Sequence, residues 1–461
     1  MKFLFDDPAF DYQALRTAGY ADYGGAQLGE VVAVAAHIPE GDTEAWRHAW
    51  TTLAERVHRL GTAARDEGRT VDARSALLRA HNYYRTAEFF QREQPRDPEA
   101  LRLMRLSRET FANAAELMDR PPEFVRIPYE DTSLPAYFYR ADDSGEPRPT
   151  IIHHGGLDST VEEGYFFVAA AALARGYHCL CFEGPGQGSV LREQGLVFRP
   201  DWEKVVTPVV DHALSLPGVD PDRLTLMGTS LVGLLAVRAA AFEHRLAGCV
   251  AHDAVWQLGD VVGLPPFVLE WVEQGCDDFA DPVMWGIAAR QTFTRWLLRQ
   301  ALWTFGADTP SQLLRRLSAF GLSEVIGQVR SPVLVLDAEE DLFFAGLEHA
   351  KKVYTGLDSP KTLHVFTADE GGGALPLGCD AAVPRAALLL AAGNTRGGPA
   401  GGGPAGGGPA GGGPAGGGPA GGGLTGGRPT GGADASLLSA RTARPAHRRA
   451  GLLAECRSAT R

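Results

Sequence analysis

The run Leu224-Thr225-Leu226-Met227-Gly228-Thr229-Ser230-Leu231-Val232-Gly233-Leu234-Leu235-Ala236 constrains this chain more than any other stretch. A short apolar segment ends in Gly228, a serine follows two residues on, and an Ala-rich helix-forming stretch starts at once. Pro221-Asp222-Arg223 supplies a turn before the strand. So tight a strand–turn–helix passage holds its serine in a cramped backbone conformation, so small residues must surround it. The hydroxyl then stands clear at a sheet edge, where a carbonyl carbon can reach it. Gly-x-Ser-x-x-Gly alone says little in a chain of 56 glycines; the strand before it and the helix after it give it meaning. The alternative is an ordinary loop whose serine caps a helix.

Around this run the chain reads as alternating α/β structure. Residues 1–120 are expected to be helical: Thr43 to Glu67 and Ala73 to Gln94 carry apolar residues three and four apart. Trp46, Tyr83, Tyr84, Phe89 and Phe90 give that region its core, and Pro121-Pro122 closes it. Strands are expected at Glu123 to Tyr129, Leu134 to Tyr139, Thr150 to His153, His178 to Phe182, Leu224 to Gly228, Cys249 to Asp253, Pro332 to Asp337 and Thr362 to Thr367. Helices between them predict a mostly parallel sheet covered on both faces. From Trp256 to Val329 the sequence is helical and aromatic. It reads as a helical cap inserted between two late strands, forming a pocket wall or a plain packing subdomain. From Gly397 the unit Gly-Gly-Gly-Pro-Ala repeats every five residues. Such a stretch builds no core and is expected to be disordered; it lacks collagen's glycine at every third place. The expected organisation is therefore 1–120 helical, 121–255 first core part, 256–329 cap, 330–395 second core part (degraded after about 373), and 396–461 tail.

Charge and cysteines narrow the function classes. The net charge is −12; residues 396–461 hold 8 Lys+Arg against 2 Asp+Glu, leaving 36 against 54 in the rest. So acidic a body argues against nucleic acid or an anionic membrane as partner. The six cysteines form no Cys-x-x-Cys pair, which suits buried thiols in a reducing cytoplasm. Met1-Lys2-Phe3-Leu4-Phe5-Asp6-Asp7 has no signal-peptide layout, and no apolar run is long enough for a bilayer. A cytoplasmic location is expected. No metal-ligand cluster or dinucleotide fingerprint appears, so neither cofactor nor metal is expected.

Three pieces belong at the sheet edge beside Ser230. His153-His154-Gly155-Gly156-Leu157 follows a strand, and its glycines let backbone N–H groups approach a developing oxyanion. The expected donors are the N–H groups of Leu157 and Leu231, supported by Gly155, Gly156 and Gly228, with His154 structural. Ser159-Thr160-Val161-Glu162-Glu163 reads first as a capping box at a helix start, with a functional role for Glu162 or Glu163 as the alternative. Leu334 to Phe344 ends in an acidic turn where Asp341 fits the acid of a catalytic triad best, ahead of Glu340 and Asp337. Serine also needs an imidazole to take its proton. The sequence offers none where one is required: His364 lies within the last strand, His349 on a preceding helix, and His252 is only a conceivable substitute.

These residues resemble the α/β-hydrolases of the group that includes 2,6-dihydroxypseudooxynicotine hydrolase and the fungal polyketide-shortening hydrolases of pigment pathways. The resemblance spans roughly 1–373. It rests on His154 to Glu163, Glu183-Gly184-Pro185-Gly186-Gln187-Gly188, Leu191-Arg192-Glu193-Gln194-Gly195, Arg199-Pro200-Asp201-Trp202, the Ser230 turn, Arg238 to Glu243, Leu336 to Asp341, and Phe366 to Gly371. It implies an α/β-hydrolase fold with an N-terminal helical region and a small-molecule substrate. It implies hydrolysis of an ester or of a carbon–carbon bond beside a ketone, and a homodimer.

Two departures stand out. Val232 occupies a place where the relatives usually have glycine, which predicts crowding and a slightly displaced turn. Where they place the triad histidine, this chain has Leu375 or its neighbour. Reading the codons of Ala374 to Pro384 from each second nucleotide permits His-Cys-His-Ser-Gly-Ala-Thr-Arg-Leu-Phe, a string like the relatives' histidine turn. A frameshift near Gly372 or Gly373 would make the repeat and the Arg-rich end out-of-frame translation; the alternative is a genuine basic tail. The expected activity is thus a serine hydrolase using Ser230 and Asp341, inactive as written if no histidine serves. The alternatives are a catalytically silent binding protein and a prolyl-oligopeptidase-type peptidase, against which the lack of a propeller domain counts.

Overall fold

Short runs of Ile, Val, Leu and Cys, apolar on both sides of the backbone, are suited to a sheet covered on both faces. The computed structural model describes residues 2–341, 344 and 347–370, and among these such runs form an eight-stranded sheet in the order β1-β2-β4-β3-β5-β6-β7-β8. The strands are β1 (Glu123–Tyr129), β2 (Thr132–Tyr139), β3 (Arg148–His154), β4 (His178–Phe182), β5 (Val219–Thr229), β6 (Gly248–His252), β7 (Val333–Ala338) and β8 (Lys361–Phe366). β1 and β2 form an antiparallel hairpin, β2 runs antiparallel to β4, and the others pair in parallel. The carboxyl ends of β3, β5, β6 and β7 therefore share one edge, where open α/β sheets place their ligands.

Helices α1 (Pro8–Gly19), α2 (Leu28–Ala35), α3 (Thr43–Asp66), α4 (Thr70–Glu88) and α5 (Pro98–Ala115) precede the sheet. Asp7, Asp42 and Asp97 cap α1, α3 and α5, each accepting two backbone N–H bonds, a contribution of about 1 kcal/mol per cap. Phe10, Trp46, Trp50, Phe89 and Phe90 fill the core between these helices. Within and flanking the sheet lie α6 (Ala170–Leu173), α7 (Gly188–Gln194), α8 (Glu203–Ser215), α9 (Leu231–Ala240) and α14 (Glu348–Gly356), separated by α10 (Pro266–Glu273), α11 (Asp277–Ala288), α12 (Thr292–Thr304) and α13 (Pro310–Leu317) between β6 and β7. Trp296 of α12 stacks on Phe89 at 4.2 Å and donates its indole N–H to the Phe89 carbonyl. The helices before β7 and those of the N-terminus thus share one apolar core.

The expected helices and strands are present, with three differences. β5 starts at Val219 rather than Leu224, because Arg148 pairs with Val219 across an irregularity before the regular ladder begins. α4 stops at Glu88 and tightens into a 3₁₀ turn over Phe89–Glu93. The segment after Ser159 runs through turns into a π-helical stretch, Tyr165–Ala169, before α6. None of the helices among the described residues is long and apolar enough to cross a membrane. The frameshift near Gly372 or Gly373, the second core part beyond 370 and the tail of 396–461 lie outside the described residues.

Candidate active site

Ser230 sits between β5 and α9 with φ 58° and ψ −130°, a left-handed conformation that costs a non-glycine residue of order 1–3 kcal/mol. Neighbouring backbone holds it there. Its N–H donates to the His252 carbonyl at 2.7 Å, and its own carbonyl accepts from Gly233 N–H at 2.7 Å. A β-carbon at Gly228 would lie 2.1 Å from the Val232 carbonyl oxygen, so only glycine lets α9 turn back this closely against β5. The Val232 side chain is fully buried in the main core, and the close approach to β5 is made by its backbone. Leu231 opens α9, so its N–H has no acceptor within the helix and lies at the positive end of the helix dipole.

The loop after β3 brings Gly156 against Ser230: a β-carbon there would meet Ser230 Cβ at 2.9 Å and Oγ at 3.4 Å. Gln187 fixes this loop. Its side-chain amide donates to the carbonyls of Gly155 and Gly156 and accepts from Gly184 N–H. In a planar trans peptide the N–H opposes the carbonyl. The Leu157 N–H therefore points away from Gln187. His154 is buried and stacked on Phe182 and Trp202; burial drives its pKa well below the ordinary value, so it is a neutral packing group.

Behind the loop lies a buried ionic network. Arg16 of α1 contacts Asp158 at 2.6 Å and Glu163 at 2.8 Å, and Arg85 contacts Glu163 at 2.9 Å. Arg92 donates to the Asp158 carbonyl at 2.6 Å. Burial pushes the Asp158 carboxyl up, but Arg16, Arg85 and Arg92 outweigh it and hold it at about 2. Glu163 also accepts from Thr160 N–H at 3.3 Å. The capping reading is thus only part of its role, since it ties the N-terminal helices to the loop. Glu162 is buried 3.5 Å from Arg108, and burial, with Glu183 adding, pushes its pKa up to about 7.

On the other side of Ser230 stands an acidic group. Carboxylate oxygens of Asp253, Asp337 and Asp341 lie within 4.8 Å of one another, all three residues buried. Asp341 follows β7 and accepts from Phe344 N–H at 2.6 Å; Asp337 accepts from Ala338 N–H. Asp253, at φ 67°, directly follows β6, and its carboxyl has no hydrogen-bond partner among the described residues. Burial pushes Asp253 well up, with Asp341 and Asp337 adding. Asp337 is pushed up to about 7, mainly by burial. Three carboxylates this close do not all ionise, so protons neutralise part of the group; a divalent cation is the other species such a trio is able to hold.

No described histidine hydrogen-bonds to Ser230 Oγ. Alternation along β6 puts His252 on the same face as Val250, in a buried row beside Thr229. His349 accepts from Trp256 N–H. His364 lies inside β8 with Glu370 3.9 Å away. Asp253, Gln187 and Arg16 are residues around this site that sequence reading did not name as site residues. Gln187 alone carried a signal, as part of the quoted Gly-rich loop.

Comparison with known proteins gives the family and the fold. Residues 150–366 match the Alpha/beta hydrolase family. The chain is 36% identical over 390 residues to hydrolase acrC of Aspergillus aculeatus, covering 79% of this chain and 91% of acrC. It is 33% identical over 390 residues to the 20-hydroxy-prefusarin hydrolase FUS2 of Gibberella moniliformis, covering 80% and 92%. The crystal structure of 2,6-dihydroxy-pseudo-oxynicotine hydrolase superposes with a TM-score of 0.64 at 21% identity, covering 81% of this chain and 95% of that one, a likeness of fold.

Proposed function

Because the chain belongs to the alpha/beta hydrolase family, we propose that it carries the machinery of a serine hydrolase for a small carbonyl compound. The bond cleaved is an ester or a carbon–carbon bond beside a ketone. Ser230 Oγ attacks the carbonyl carbon, and the oxyanion that forms accepts from the N–H groups of Leu157 and Leu231. Gly156 keeps a side chain away from Ser230, while Gly155 and Gly228 allow the close packing of Ser159 and of the α9 backbone behind the site. An ester releases an alkoxide that must be protonated; a carbon–carbon bond releases an enolate, whose carbon takes the proton. Helices α10–α13 form the cap that selects the substrate. FUS2, named for its action on 20-hydroxy-prefusarin, supports the assignment to small organic substrates.

The observation that carries this reading is the strained Ser230 turn with Gly156 facing its hydroxyl. Asp341 is the acid that would orient an imidazole, and no histidine lies between His364 and His447. We attribute the gap to a frameshift near Gly372 or Gly373. Loss of a triad member leaves only the residual catalysis of oxyanion hole and binding, so the chain as written is expected to react slowly. A fluorophosphonate tests the assignment: peptide mass spectrometry should find a single adduct, on Ser230, absent from Ser230→Ala. Failure of Ser230 to react under forcing conditions would refute it. The missing base favours one second reading, a silent hydrolase-like protein that binds a small molecule beneath the cap.

A further inference from the structure

The segment from Glu183 to Ser189 is joined by buried hydrogen bonds to the loop that carries Leu157. Gly186 (φ 88°) and Gly188 (φ 36°) take left-handed conformations. A β-carbon on either would collide, with the Phe198 ring at 2.2 Å or with the Glu183 carboxylate at 2.0 Å. Along this tight path Glu183 and Gln187 are both buried. Glu183 accepts from Val161 N–H at 2.9 Å and from Ser189 N–H at 2.8 Å. Gln187, directly before α7, holds the other end of the loop. Its amide nitrogen donates to the Gly155 carbonyl and, at 2.8 Å, to the Gly156 carbonyl, while its amide oxygen accepts from Gly184 N–H at 2.9 Å. Two acceptors on one side and one donor on the other admit a single orientation of that amide.

We propose that Gln187 is a positioning residue of the oxyanion site, which fixes the plane of the Gly156–Leu157 peptide and polarises the Leu157 N–H. This inference rests on the serine-hydrolase reading of Ser230. The Gly156 carbonyl and the Leu157 N–H belong to one planar amide, so the bond that holds the carbonyl also sets the aim of the N–H. An amide whose carbonyl accepts a hydrogen bond donates more strongly through its N–H, by cooperative polarisation. The same peptide is held beside the reacting hydroxyl, since a β-carbon on Gly156 would stand 3.4 Å from Ser230 Oγ. Methionine at 187 nearly keeps the volume and loses both donated bonds. Glutamate keeps the acceptor for Gly184 N–H and donates to a loop carbonyl only while protonated; ionised, it sets negative charge against two carbonyl oxygens.

The test compares the full chain as wild type, Gln187→Met and Gln187→Glu, with a fluorophosphonate as the probe of Ser230. Gln187→Met should lower the limiting phosphonylation rate about 10- to 100-fold, short of the 10²–10³ lost with a whole oxyanion donor. The half-saturating probe concentration should change by less than about twofold, because ground-state binding does not use the oxyanion donor. For Gln187→Glu, the rate relative to wild type should fall at least about threefold as pH rises from about 5 to about 9 and the carboxyl ionises. A merely structural glutamine would leave that ratio constant. A wild-type rate in Gln187→Met, or a Gln187→Glu ratio that does not change with pH, overturns the proposal; should Gln187→Met fail to fold, the Gln187→Glu ratio decides alone. If wild-type Ser230 takes no fluorophosphonate, the serine chemistry falls and hydrogen exchange of the 155–159 amides judges the hold on the peptide. Faster exchange there in Gln187→Met upholds that hold, and unchanged exchange overturns it.

Discussion

Gly156 lies so near Ser230 that a β-carbon at position 156 would stand 2.9 Å from Ser230 Cβ and 3.2 Å from the Thr229 carbonyl oxygen. The second of these neighbours is backbone and has little room to give. Gly156→Ala is therefore expected to displace the loop carrying Leu157. Loss of one oxyanion donor typically lowers rates by about 10²–10³-fold. Phosphonylation of Ser230 should slow by about that factor in the variant, and an unchanged rate would remove Leu157 from the oxyanion hole.

Arg16 connects α1 to two carboxylates, the half-buried Asp158 and the buried Glu163. Arg16→Met leaves both with fewer partners, and breaking such a pair from one side costs about 3–5 kcal/mol. Urea unfolding should show a lower midpoint with an unchanged slope. A loss below about 1 kcal/mol would mean that Arg85 and Arg92 suffice to balance the site.

The raised Asp337 carboxyl sets a pH dependence of stability. Its folded pKa of about 7 exceeds the unfolded value of about 3.9. Between those values the folded chain holds a proton that the unfolded chain has lost. Stability from this group therefore falls as pH rises from about 4 to about 7, at up to roughly 1.4 kcal/mol per pH unit, and levels off above. His81, lowered to about 4 by burial, acts in the opposite sense below its unfolded pKa. Comparison with Asp337→Asn isolates the carboxyl. Urea unfolding should find the variant gaining on the wild type with rising pH over this window, whereas a pH-independent difference would contradict the shift.

Resequencing the gene across the codons for Glu370 to Gly378 tests the frameshift. The expected result is a histidine codon restored in frame. A confirmed sequence would favour the silent binding protein.

Much of the fold was legible because it depends on local pattern. Cys179-Leu180-Cys181-Phe182 is an uninterrupted apolar run and, with His178 before it, forms β4. The start of β5 was not legible, since Asp220-Pro221-Asp222 reads locally as a turn and joins the strand through pairing with β3. At the site, Gly156, Ser230 and Gly228 announced themselves by spacing. Arg16 did not: its partners Asp158 and Glu163 lie 142 and 147 residues away, and nothing local distinguishes it from a surface arginine. Asp253 was equally hidden, because its importance comes from β6 and β7 being neighbours.

The central claim is that Ser230 stands in a working oxyanion site and lacks only a base. Hydrolysis of p-nitrophenyl acetate by the full chain, measured with and without added imidazole and compared with Ser230→Ala, tests it most directly. Imidazole should raise the wild-type rate at least about tenfold above that of Ser230→Ala by taking the proton that no described histidine accepts. Equal rates for the two proteins at every imidazole concentration would contradict the account.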